Sequence, residues 1–137
     1  MKYISGDELA QMMKSGKAPN QDYLVVDVRD DDYAGGNIKD AFNLPSREFH
    51  TGVYDLAQKS ADVKVVVFHC ALSQMRGPKA ARIYEETRTN LNLAQDKSQE
   101  VYILTHGFTG FQQKFKDDPA LIENWDKDVW ENAEEWS

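Results

Sequence analysis

Three short apolar runs, two of them rich in β-branched residues, punctuate the chain: Tyr23 to Val28 (YLVVDV), Lys64 to Phe68, and Val101 to Leu104. Continuous apolar runs of this length, bounded by polar turns, are the signature of strands buried on both faces. Between them lie stretches with apolar residues at helical spacing. Ser5 and Glu8 make a capping box, Ile4 and Leu9 a hydrophobic staple, and Gly16 a stop, so this helix should bury Leu9, Met12 and Met13. Ser46 to Lys59 reads as a helix with a break near Gly52 and Val53, Leu56 and Ala57 on its apolar face. Pro78 to Thr89 reads as another, with Gly77 as cap, Pro78 at the first helical position, and Ala80, Ala81, Ile83 and Tyr84 facing inward. Gly107 to Lys116 sets Phe108, Phe111 and Phe115 on one face. Tyr3-Ile4 reads as an edge strand, and Ala41 to Leu44 as a short strand stopped by Pro45. Strand and helix in alternation predict an α/β fold, a central and mostly parallel sheet covered by helices.

The polar segments read as connections: Lys17 to Asp22, and Asn90 to Gln99. Asp30-Asp31-Asp32 reads as a solvated acidic turn anchored by Tyr33. Gly35-Gly36 reads as a sharp turn from which Ile38 returns to the core.

Composition narrows the class. With 137 residues, 41% hydrophobic and 28% charged, the chain suits one globular domain with a sizeable core. No apolar run approaches the ~20 residues of a membrane span, and MKYISGDEL lacks signal-peptide character. A single cysteine cannot form an intramolecular disulfide, which suits a reducing compartment, cytosol or nucleus. The net charge of −7 is concentrated at one end: residues 117–137 hold eight acids against Lys127, leaving 15 acids and 15 bases elsewhere. Neither part has the basic excess that nucleic-acid binding requires. The acids read as a solvated face. The tryptophans of this segment, Trp125, Trp130 and Trp136, are unlike a disordered tail, and at least Trp125 and Trp130 should pin it to the body.

Candidate chemistry centres on one loop. Cys70-Ala71-Leu72-Ser73-Gln74-Met75-Arg76 joins a buried strand to a helix, with five residues between the cysteine and the arginine. Such a turn wraps backbone N–H groups into a concave nest, and the helix N-terminus behind it adds partial positive charge. That environment suits a tetrahedral oxyanion and favours a thiolate. Arg76 offers a planar fork for two oxygens, and Ser73 a hydroxyl for the sulfur. Asp27, at the end of a buried strand, reads as a structural acceptor for nearby backbone donors.

The stretches LVVDVRDDDYAGGNIKDAFNLPS and VVVFHCALSQMRGPKAA together resemble the rhodanese-fold family. The resemblance is to the branch of the M-phase inducer phosphatases and eukaryotic arsenate reductases, above all its small single-domain members. It implies a three-layer rhodanese-like catalytic domain over residues 1–116; the tryptophans, not the resemblance, predict that the acidic segment 117–137 packs on the same domain. It implies Cys70 as nucleophile, Arg76 as oxyanion clamp, and Ala71, Leu72, Ser73, Gln74 and Met75 as the anion cradle. His69 then stands as an orienting residue and Asp27 as a supporting one. A phosphatase of this kind forms a phosphocysteine. An arsenate reductase with one cysteine takes its second thiol from glutathione or glutaredoxin. The reading calls for a monomer that acts on a phosphate or arsenate oxyanion, with a phosphoprotein as substrate in the phosphatase case. It calls for no metal, bound cofactor, nucleic acid or membrane. Sulfurtransferases of the family carry a shorter loop, which leaves sulfur transfer and a non-catalytic binding module as further readings. The chain departs from the family pattern at Asn37, at Thr105-His106-Gly107-Phe108 and at Ala71. The last leaves no loop acid, and neither Asp117 nor Asp118 is assigned that role.

Overall fold

The computed structural model describes residues 2–96 and 98–131. The chain begins β1 (Lys2–Ile4), α1 (Gly6–Met13), β2 (Tyr23–Asp27), β3 (Asn37–Ile38), β4 (Phe42–Asn43) and α2 (Phe49–Lys59). It continues β5 (Val65–His69), α3 (Arg76–Asn90), α4 (Leu93–Asp96), β6 (Glu100–Leu104), α5 (Gly107–Phe115), β7 (Ile122–Glu123) and α6 (Lys127–Glu131). Five strands form one sheet in the order β1-β6-β5-β2-β4, and every pairing in it is parallel.

Side-chain alternation along the strands makes two cores. Leu24, Val26, Val66, Phe68, Val101 and Ile103 face α2 and α3, where Phe49, Val53, Leu56, Ala80, Ala81 and Tyr84 meet them. Tyr23, Val25, Val67 and Leu104 face α1 and α5, where Leu9, Ala10, Phe108 and Phe111 cover them. The apolar runs thus lack a polar face because helices cover both sides of the sheet. The capping box at Ser5 forms as its spacing predicts: Ser5 Oγ accepts from the Glu8 N–H and Glu8 accepts from the Ser5 N–H, each at 3.0 Å.

Several boundaries differ from the sequence reading. α2 runs unbroken through Gly52, because a Cβ there would stand 2.8 Å from Leu44 Cδ1. That glycine makes room for a neighbour and does not break the helix. α3 starts at Arg76, not Pro78, and its cap position is Met75. Pro78 still falls in the first turn, where helix N–H groups lack intrahelical acceptors. The polar connection after α3 contains the single-turn helix α4.

Residues 117–131 include a strand that their acidity conceals. β7 pairs antiparallel with β3, Asn37 opposite Glu123 and Ile38 opposite Ile122. Leu121, Ile122, Trp125 and Trp130 join the core beneath α1 and α5. Trp125 Nε1 donates to Gln112 Oε1 at 2.9 Å, and Trp130 Nε1 to the Gly35 carbonyl at 2.8 Å. Trp136 lies outside the described residues. Gly36 has φ +119°, and a Cβ there would come within 2.9 Å of the Trp125 backbone. Gly36→Ala should therefore cost about 1–3 kcal/mol. Denaturant melts should show the loss, and a variant as stable as the parent would disprove this account of the turn.

Candidate active site

β5 and α3 position the site. β5 is the middle strand of the sheet and delivers Cys70 to the carboxyl edge, where ligands bind in open α/β sheets. The loop then turns through Ser73, at φ +56°, into the first turn of α3, which begins with Arg76 itself. Cys70 is fully buried at the floor of this loop, and the Gly77 N–H donates to its Sγ at 3.3 Å.

A second helix holds the loop from behind. The N–H groups of Phe108 and Thr109, in the first turn of α5, donate to the carbonyls of Cys70 and Ala71 at 3.0 and 2.9 Å. Gly107 makes this approach possible: at φ +57°, a Cβ on it would lie 2.3 Å from the Ala71 oxygen. While two loop carbonyls are bonded outward, the backbone N–H groups from Ala71 to Met75 make no hydrogen bond among the described residues. Five consecutive amides without acceptors, behind which a helix begins, are a ready anion cradle. Ser73 Oγ is buried and also has no hydrogen-bond partner among the described residues. Its expected bond to the sulfur is not formed.

Arg76 does not stand alone over the loop. Its Nη1 and Nη2 donate to the two carboxylate oxygens of Asp32 at 2.8 and 2.7 Å, and Nη1 also reaches Asp30 Oδ2 at 3.3 Å. The acidic turn is therefore only partly solvated. The Asp32 side chain is 3% exposed, whereas Asp31 is 79% exposed and pairs with Arg47. Ser46 Oγ and the Arg47 N–H both donate to Asp30. Burial would raise the pKa values of Asp30 and Asp32, but these hydrogen bonds outweigh it and hold both carboxyls below the usual range. The Asp32 contact in turn pushes Arg76 further up. The three consecutive aspartates at the carboxyl edge of a buried strand were the signal in the sequence, since a largely buried guanidinium calls for an anionic partner.

Asp27 is wholly buried and acts as a structural acceptor. It takes hydrogen bonds from the Arg29 backbone N–H, Nε and Nη2 at 2.7–3.1 Å. Arg29 is 1% exposed, lies 4.3 Å from the Phe108 ring and 5.0 Å from Tyr33, and donates to the carbonyls of Asp32 and Gly36. His69 sits opposite Asp27 in the β2–β5 register. Its Nδ1 is 3.0 Å from the Cys70 carbonyl, which can only accept, so Nδ1 carries the proton. Nε2 is 3.7 Å from Asp27 Oδ2, beyond hydrogen-bond reach. Burial lowers the His69 pKa, so the ring is neutral near pH 7. Its one N–H is directed at the Cys70 carbonyl, and its Nε2 faces Asp27. Asp118 pairs with Lys14 just beyond the end of α1.

Comparison with known proteins agrees with this architecture. The family model described as the Rhodanese-like domain matches residues 5–114. The chain belongs to the rhodanese-like domain family. The CDC25-like phosphatase YCH1 of Saccharomyces cerevisiae is 33% identical, over 95% of this chain and 94% of its own length. Arsenate reductase 2.1 of Oryza sativa is 30% identical, over 80% of this chain and 66% of its own. A solved structure described as Ygr203w, a yeast protein tyrosine phosphatase of the rhodanese family, superposes with a TM-score of 0.79 at 30% identity, covering 94% of this chain and 96% of that one. This rhodanese-like chain thus stands among CDC25-like phosphatases and arsenate reductases.

Proposed function

We propose that this rhodanese-like protein is a cysteine-dependent phosphatase for phosphotyrosine-type monoesters. The observation that carries the reading is the cradle itself: five loop amides with no acceptor among the described residues, between a buried cysteine and a clamp arginine. In the first step the Cys70 thiolate attacks phosphorus, the S–P bond forms, and the P–O bond to the alcohol breaks. Water then attacks the phosphocysteine, releasing inorganic phosphate and restoring the thiol. The loop amides and Arg76 bind the equatorial oxygens as charge develops on them. Arg76→Lys should lower kcat/KM for an aryl phosphate by about a hundredfold, since a point charge cannot hold two oxygens in a plane. Steady-state kinetics of that variant check the clamp, and near-parental values would remove Arg76 from it.

A second reading is arsenate reduction, favoured because no proton donor for an alcohol leaving group is assigned among the described residues. Ala71 occupies the loop position of an acid, and Asp30 and Asp32 are held in their charged form. The Cys70 thiol displaces one arsenate oxygen as water, forming an S–As bond; a glutathione thiolate then attacks the Cys70 sulfur, the S–As electron pair stays on arsenic, and arsenite leaves behind a Cys70–glutathione mixed disulfide. Cytosol or nucleus is the setting in which either activity would operate. The deciding experiment measures both reactions on one preparation: hydrolysis of a small aryl phosphate, and arsenate reduction with glutathione and glutaredoxin. Hydrolysis without reduction supports the phosphatase. Reduction without hydrolysis replaces it with the reductase, and silence in both overturns the two together.

A further inference from the structure

Arg76 is asked to clamp an oxyanion, yet its two terminal nitrogens already face carboxylates. The geometry of the guanidinium resolves this. Of its five N–H bonds, two form the edge between Nη1 and Nη2, two the edge between Nη2 and Nε, and the fifth, on Nη1, stands outside both. Asp32 occupies the first edge end-on, and Asp30 takes the remaining Nη1 hydrogen. No hydrogen bond among the described residues uses Nε. The Nη2–Nε edge therefore remains for a second anion, and it too can bind two oxygens in one plane.

We propose that Asp32 is the positioning residue of the clamp: its two-pronged pair with Arg76 fixes the guanidinium plane so that the Nη2–Nε edge is presented to the bound oxyanion. The residue is suited to this. Asp32 is itself held: its carbonyl accepts from Arg29, its Oδ1 accepts from the Asp30 N–H at 3.0 Å, and its side chain is nearly excluded from water. Asp30 is braced by Ser46 and Arg47 from the other side. The turn also rests on the carboxyl-terminal segment, since the Gly35 carbonyl accepts from Trp130. A long flexible arginine is thus converted into a fixed fork before substrate arrives, which is how preorganised donors gain their advantage over freely moving ones.

The inference rests on the oxyanion role proposed for Arg76, and its test keeps the two apart. Asp32→Asn retains an oxygen for the Asp30 N–H but loses the charge and the second acceptor. Nitrogen-15 NMR of the arginine side chains, with Arg76→Lys identifying the Arg76 signals, reads the fork without any turnover. Titration with inorganic phosphate should shift the Arg76 Nε–H signal in the parent protein. In Asp32→Asn the Nη signals should broaden as the group rotates, and the phosphate shift should shrink. For aryl phosphate hydrolysis, kcat should fall about tenfold or more with a smaller change in KM. In an Arg76→Lys background the same substitution should have no further effect on kcat. Unchanged NMR spectra together with kcat within about twofold of the parent would overturn the role of Asp32 while leaving the phosphatase intact. A phosphate-induced shift lost in Asp32→Asn, in a protein that hydrolyses nothing, would uphold Asp32 and overturn the phosphatase.

Discussion

Cys70→Ser is expected to abolish aryl phosphate hydrolysis, lowering kcat by roughly 10⁴-fold or more. The reason is chemical. A serine hydroxyl is not ionised near neutral pH and is a far weaker nucleophile than a thiolate. The fold should survive. Serine is slightly smaller than cysteine, and its Oγ can accept from the Gly77 N–H that now meets Sγ at 3.3 Å. Steady-state kinetics beside a thermal melt separate the two effects. Activity near the parental level would rule out a phosphocysteine, and a collapsed melt would assign the loss to folding.

The second large effect falls on stability. Asp27→Asn leaves the Arg29 guanidinium, 1% exposed, without its counter-charge and removes one acceptor of a three-donor set. Breaking a buried pair from one side costs about 3–5 kcal/mol, which is a large part of the 5–15 kcal/mol that holds a typical domain together. The loss should depend on pH. Burial by itself pushes the Asp27 carboxyl up. The His69 ring when charged, and Arg29 at every pH, pull it further down, so its folded pKa lies below the ordinary carboxylate range. A carboxyl depressed in this way stabilises the native state fully above its unfolded pKa of about 3.9. That contribution is lost as the pH falls through the lower folded value. The gap between parent and Asp27→Asn should thus be widest near neutrality and narrow in acid. Urea titrations across this range test it. Equal midpoints at pH 7, or a gap independent of pH, would show that the Asp27–Arg29 pair contributes little.

The elements that were legible in the sequence are those set by local rules. Buried strands β2, β5 and β6 show as apolar runs because each is covered on two faces. α1 shows as a capping box because Ser5 and Glu8 need only each other. The Cys70-to-Arg76 spacing shows because a strand, a turn and a helix N-terminus form it from consecutive residues. Misreadings arose where a residue answers to a distant neighbour. Gly52 resembles a helix break, yet it makes room for Leu44. Asp30 and Asp32 resemble a solvated turn, yet they meet Arg76 across 44 or more residues of chain. Ile122 and Glu123 resemble part of an acidic tail, yet they pair with β3.

Local pattern along the chain was enough for the α/β class, the parallel sheet and the placing of the thiol and guanidinium on one loop. Periodicity, capping and turn chemistry act within a few residues and leave their mark there. Which acids hold Arg76, that α5 bonds the loop carbonyls outward through Phe108 and Thr109, and that Trp125 and Trp130 brace the Gly35-Gly36 turn emerged from the folded chain alone. Those contacts join segments brought together by sheet order, and partners chosen across a fold carry no periodic trace in the residues that make them.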